Sequence, residues 1–235
     1  MADLRSRIEV AKLARELDVA ESELSYLADA SASDLRELRR VTGAALFGRH
    51  EARAKLLASA NGILPMAVAA KISERALGAA LSARVAGVME PEAAARLAGH
   101  LSPGFLVDLA ARLDPTRVGP IVAQLPEDTV LDVARRLLAA KDMVTLARFV
   151  AVVDPAIVAQ VAERADSTEL LQMVLYTEDG AALGVLAQRL PEAALVGMLE
   201  VADDEEYDVA VERLGYLEPE TRDGVLAQVK RSDRF

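Results

Sequence analysis

The chain is 235 residues long, 52% hydrophobic but only 3% aromatic, and its 37 acidic against 27 basic residues give a net charge of −10. It contains no cysteine, which excludes disulfide scaffolds, thiolate zinc sites, iron–sulfur centres and thiol enzymes. So acidic a chain is a poor match for duplex DNA or anionic lipid, and its stock of Leu, Val and Ala is ample for a buried core.

Ala and Leu dominate the apolar positions, and no stretch alternates with period two between glycine turns. The expected class is therefore all-α. The expected layout is an N-terminal helical bundle over residues 1–90, followed over 91–235 by a superhelical, α-solenoid-like array of short helices. The first residues lack the basic start and apolar core of a signal peptide. The charge-free run 56–70 is broken by Asn61, Gly62 and Pro65 and falls short of the ~20 residues that span a bilayer. A cytoplasmic protein without a membrane span is expected.

In chain order, Leu4, Ile8, Ala11 and Ala14, with Val10, Leu13 and Leu17, form an apolar stripe at helical spacing. A short helix is expected over residues 21–28. Residues 10–27 resemble a helix-turn-helix core, with Ala14, Leu17, Val19 and Leu24 as spacing marks and Asp18 where a turn glycine is common. The second helix of such a unit enters the major groove, yet here it presents Glu21, Glu23 and Asp29 and no cation. No nucleic-acid partner is expected.

Ser33 is positioned to cap a long helix from Asp34, with Leu35, Leu38, Val41, Ala45 and Leu46 on one face, ended by Asn61, Gly62 and Pro65. Residues 66–89 are rich in Ala and Gly and carry few charges. Ala76 and Ala80, and Gly78 and Ser82, stand four apart, a spacing that lets helices approach closely and leaves a homodimer open. The same region supplies a candidate groove for an apolar, lipid-like ligand, lined by Phe47, His50, Leu57, Met66, Ile72, Leu81 and Met89. Arg75, Arg84 or His50 would meet a carboxylate head.

From residue 91 the breakers recur, mostly about a dozen residues apart: Pro91, Ser102-Pro103, Asp114-Pro115, Pro126, Asp142, Asp154-Pro155, Asp166, Glu178, Pro191 and Glu218-Pro219. Each gap holds one short helix, with Asp, Ser or Glu as N-cap and Pro in the first turn. A 40-residue register sets Leu106 on Leu146, Val118 on Val158, Ile121 on Val161 and Val133 on Met173. Such helices bury their faces only by stacking.

The run Leu-Asp-Pro-x-x-Val-x-x-Ile-Val-x-x-Leu-Pro-x-Asp at residues 113–128 resembles the N-terminal cytoplasmic domain of MgtE-type magnesium transporters. The resemblance spans about residues 91–230 and implies a right-handed superhelix of short helices. Transport itself is not implied, because the membrane helices of that family are missing.

Catalytic chemistry has little to stand on. Of two histidines, His50 and His100, neither completes a zincin or di-metal motif, and no phosphate-cradling glycine loop or nucleophile elbow is present. No cofactor is expected. The acidic run Asp203, Asp204, Glu205, Glu206 and Asp208 is a candidate cation site that the transporter resemblance ties to magnesium, although acids at a helix start ordinarily serve the helix dipole. Residues 1–100 hold 14 basic and 13 acidic residues and residues 101–235 hold 13 and 24. The expected function is a non-enzymatic protein-interaction or scaffold module whose acidic C-terminal surface holds a basic segment of a protein partner. The alternative is a carrier or sensor of the apolar small molecule. The excess of arginine over lysine, 22 to 5, is an association with GC-rich bacterial genomes and carries no chemistry.

Overall fold

The computed structural model describes residues 3–48, 51–61 and 64–229. The fold is all-α: among the described residues there are sixteen α-helices, one 3-10 helix and one π-helical segment, and no strand. No helix among them is long and apolar enough to cross a membrane. The chain forms two compact units, residues 1–136 and 137–235. The division thus falls inside α9 (Glu127–Ala139).

The first unit begins with α1 (Leu4–Leu17), in which every residue from Ile8 to Ala14 is buried. Asp18 closes it in the left-handed region, φ 59°. That conformation suits glycine best, and a short side chain that hydrogen-bonds nearby tolerates it. The Asp18 carboxylate accepts a hydrogen bond from Arg112 Nη2 at 2.7 Å, which anchors the turn to a segment far along the unit. The next element, Glu21–Leu27, is a 3-10 helix holding one buried residue, Leu24. It is seven residues of tight helix.

The N-cap of α2 (Ala32–Gly48) is Ser31, not Ser33: the Ser31 hydroxyl accepts the Asp34 amide at 3.1 Å and bonds Ser33 Oγ at 2.9 Å. Helices α1 and α2 lie side by side in the same direction. Ser6 donates to the Ala30 carbonyl, Glu9 meets Arg36 and Arg39, and the Glu16 side chain covers Gly43. Val10, Leu13, Ala14, Leu24 and Leu35 form the core between them. Of the long helix expected to reach residue 61, the described residues give α2 up to Gly48 and α3 over Glu51–Asn61, and residues 49 and 50 lie outside the described residues.

An alternation of contacts follows. Helix α3 packs on α5 (Gly78–Ala86) and α5 on α7 (Pro103–Ala110); α4 (Met66–Ile72) packs on α6 (Pro91–Ala98) and α6 on α8 (Pro115–Val122). Packing of each helix on the next but one therefore starts at α3, well inside the expected bundle region.

The second unit keeps this rule. Helices α10 (Met143–Phe149), α12 (Ser167–Tyr176), α14 (Glu192–Val201) and α16 (Pro219–Gln228) touch in succession, as do α11 (Pro155–Ala162), α13 (Gly180–Ala187) and α15 (Asp204–Leu214), while α12 also reaches α15. Leu170, Leu171, Met173, Leu195, Met198 and Leu199 are the buried centre; fully burying a side chain of this size contributes about 1.5–3 kcal/mol. Displaced by 40 residues, α8 falls on α11 from first residue to last, and the matched pairs Val118/Val158 and Ile121/Val161 are buried in both.

Pro opens α6, α7, α8, α11 and α16, as expected. Aspartates do the capping. Asp114, Asp142, Asp154, Asp166, Asp179 and Asp203 each accept a backbone amide of the first turn of their helix, at 2.7–3.1 Å. Ser102, Glu90 and Glu218, at equivalent positions, make no such bond through their own side chains.

Candidate functional site

Two arrangements in the first unit go beyond packing. One lies on α4 and the π segment after it. Ala69 and Ala70 face inward against Leu97, with Met66, Met89 and Leu101 around them. The other side carries Leu64 at the helix entry, then Val68 and Ile72, all open to solvent at 37–43% exposure. Val68 and Ile72 are four apart and share one row along the helix, while Leu64 precedes the Pro65 N-cap. Lys71 and Arg75 are also exposed and four apart, and they form the adjacent row.

Helix α4 runs into the π segment Ser73–Leu77, where the Gly78 amide reaches back five residues to the Ser73 carbonyl. The buried Ser82 hydroxyl shares that carbonyl at 3.5 Å. Gly78 sits at φ 70°, ψ 170°, a region open essentially to glycine alone. The helical path is therefore interrupted at Gly78 within the Ala- and Gly-rich stretch 66–89. Within the π segment Glu74 points away from the outer row, and its Oε1 accepts the Ser102 amide at 2.6 Å. This bond satisfies the amide of the N-cap residue of α7, the one that the N3 glutamate takes in a capping box. It holds the Glu74 carboxyl below its ordinary value of 4.5; the Ser102 amide is the largest cause, the Ser102 hydroxyl the next, and Arg75 adds to it.

The other arrangement is a buried charge cluster between α1 and α2. Glu9 is 1% exposed and Lys12 2%. Glu9 Oε1 takes Lys12 Nζ at 3.4 Å and Arg36 Nε and Nη2 at 3.3 and 3.2 Å, while Oε2 takes Arg39 Nε and Nη2, both at 3.3 Å. Two guanidinium forks and an ammonium thus surround one carboxylate. The sequence reading missed this cluster. Its signal was a pair of opposite charges three apart within the otherwise apolar stretch 8–14, with two arginines three apart on α2.

The residues singled out from sequence are dispersed. Met66 and Met89 meet beside Leu97, whereas Ile72 and Arg75 are exposed on α4 and the π segment. Leu57, Leu81 and Arg84 are half-buried. His50 and the Phe47 side chain lie outside the described residues. In the acidic run, Asp203 accepts the Glu206 amide and Glu206 accepts the Asp203 amide, a reciprocal cap on α15. Its members point outward from successive helical positions, and among the described residues no group of three or more His, Asp or Glu is placed to hold a metal ion. A cavity of about 10 Å³ in the second unit, lined by Val174, Leu183, Leu186, Leu195 and Leu217 among others, is a packing gap, since an apolar void at the size of one water stays dry.

No family model matches the chain, and searches of the curated proteins and of the solved structures find no match either. The likeness of residues 113–128 to the transporter domain rests on those residues alone.

Proposed function

We propose that this protein is a non-enzymatic helical-repeat module, cytoplasmic in setting, that docks another protein on the outer side of its first unit. One observation carries the reading. Of the eleven large hydrophobic side chains exposed among the described residues, six (Leu38, Val41, Leu56, Leu64, Val68 and Ile72) fall between positions 38 and 72. Exposed apolar groups gathered into rows mark interaction surfaces, while single ones need no explanation.

The acidic surface of the second unit is the weaker ground for docking. That unit holds 19 acidic and 9 basic residues, whereas the first holds 18 of each. Twelve of the 19 are N-cap residues or lie in the first turn of a helix. Their charge is accounted for by the number of helix starts.

The test is a photo-crosslinking amino acid placed at Val68, with a second protein carrying it at Val185, an exposed residue of α13. The expected outcome in cells is one discrete heavier adduct from position 68 and none from 185. Equal labelling at the two positions, or none at 68, removes the docking face.

A further inference from the structure

We propose that the partner of the α4 face is an acidic amphipathic helix, an inference that rests on the docking function above and adds the chemistry of the occupant. Val68 and Ile72 form a ridge with an i, i+4 inclination, with Leu64 exposed just before the helix, and a second helix seats such a ridge between rows of its own side chains. The cations lie on one flank only: Lys71 and Arg75 occupy the neighbouring row. Glu74 is the sole acid of residues 64–76, and it is turned to the Ser102 amide. The face therefore shows an apolar row beside a cationic row whose two charges exceed the one carboxylate of the segment, Glu74, which interacts with Arg75. Its complement is a helix with an apolar row beside a row of carboxylates, which would steer approach and fix orientation.

Two other occupants fit less well. A second copy packed antiparallel about a two-fold axis sets each cationic row against its like. An anionic bilayer repels a chain of net charge −10.

The experiment uses the full chain and a labelled synthetic helix with leucines in one i, i+4 row and glutamates in the next. A twin peptide has lysine in place of each glutamate, and a third arm offers vesicles of phosphatidylcholine and phosphatidylserine. By fluorescence anisotropy the glutamate probe binds, more weakly as salt rises, with about tenfold preference over its twin. Ile72→Asp or Val68→Asp weakens binding by at least about tenfold, and Lys71→Glu with Arg75→Glu reverses the preference. All four side chains are exposed, so circular dichroism and melting should match the parent, and the pair of aspartate variants guards against one misfolding. Equal affinity for the two peptides, or affinity unchanged in both aspartate variants, overturns the proposal. So do vesicle binding in place of peptide binding, and a concentration-dependent dimer that Ile72→Asp dissolves. A crosslinked adduct at Val68 without binding of the glutamate probe would keep the docking face and discard the acidic helix.

Discussion

Glu9 illustrates how one buried carboxylate determines what a core tolerates. It lies in the enclosed part of α1, next to a Lys12 that is equally buried, and two arginines reach it from α2. Removing the Glu9 carboxylate takes a counter-charge from the equally buried Lys12, a loss of about 3–5 kcal/mol. Glu9→Ala should show that loss in urea melts. Glu9→Ala combined with Lys12→Met should recover part of it, because the buried ammonium is removed together with the carboxylate it faced. Gly184 makes a different demand. A Cβ there would stand 2.7 Å from the Tyr216 backbone oxygen, so α13 and the end of α15 approach through a missing side chain. The small-residue contact sought at Gly78 and Ser82 exists instead at Gly184. A four-residue spacing of small side chains does not reveal which pair faces a neighbour.

At the scale of elements, the π segment and its carboxylate link α4 to the start of α7. The folded-state value of Glu74 lies below its ordinary one. Its contribution is therefore complete above the unfolded value near 4.5 and is lost as pH falls through the lower folded value. Glu74→Gln should flatten the acid limb of the stability–pH curve below about pH 4.5 and leave it unchanged at neutral pH apart from a constant offset; chemical denaturation at stepped pH measures both. The sequence displayed short Pro-started helices openly, because Pro and Asp act locally through a fixed φ and an amide-accepting side chain. It hid the π turn at Ser73–Leu77 and the 3-10 character of Glu21–Leu27. Those depend on which carbonyl each amide finds once neighbours are packed. The docking row was half legible: Ile72 and Arg75 were singled out, yet as the lining of a groove. Helical spacing identifies a face and leaves open whether it is inner or outer.

At the scale of the molecule, net charge divides with the compact units, zero in the first and −10 in the second. If capping is the origin of the acidity, then asparagine, which caps nearly as well as aspartate, should substitute for it. Changing Asp142, Asp154, Asp166, Asp179 and Asp203 together to Asn should halve the net charge and cost a few tenths of a kcal/mol per site, whereas Ala at the same positions costs about 1 kcal/mol each. Thermal melts of the two five-fold variants separate the roles: similar losses in both would return the acidity to a charge-specific purpose. The packing of each helix on the next but one has a kinetic consequence. Every tertiary contact of this kind joins segments near in sequence, and chains so built pass a small entropic barrier to loop closure. Folding can start at any neighbouring trio of helices and advance in either direction along the chain. A growing polypeptide would thus acquire its layers in the order of synthesis, with no distant strand or C-terminal piece to wait for.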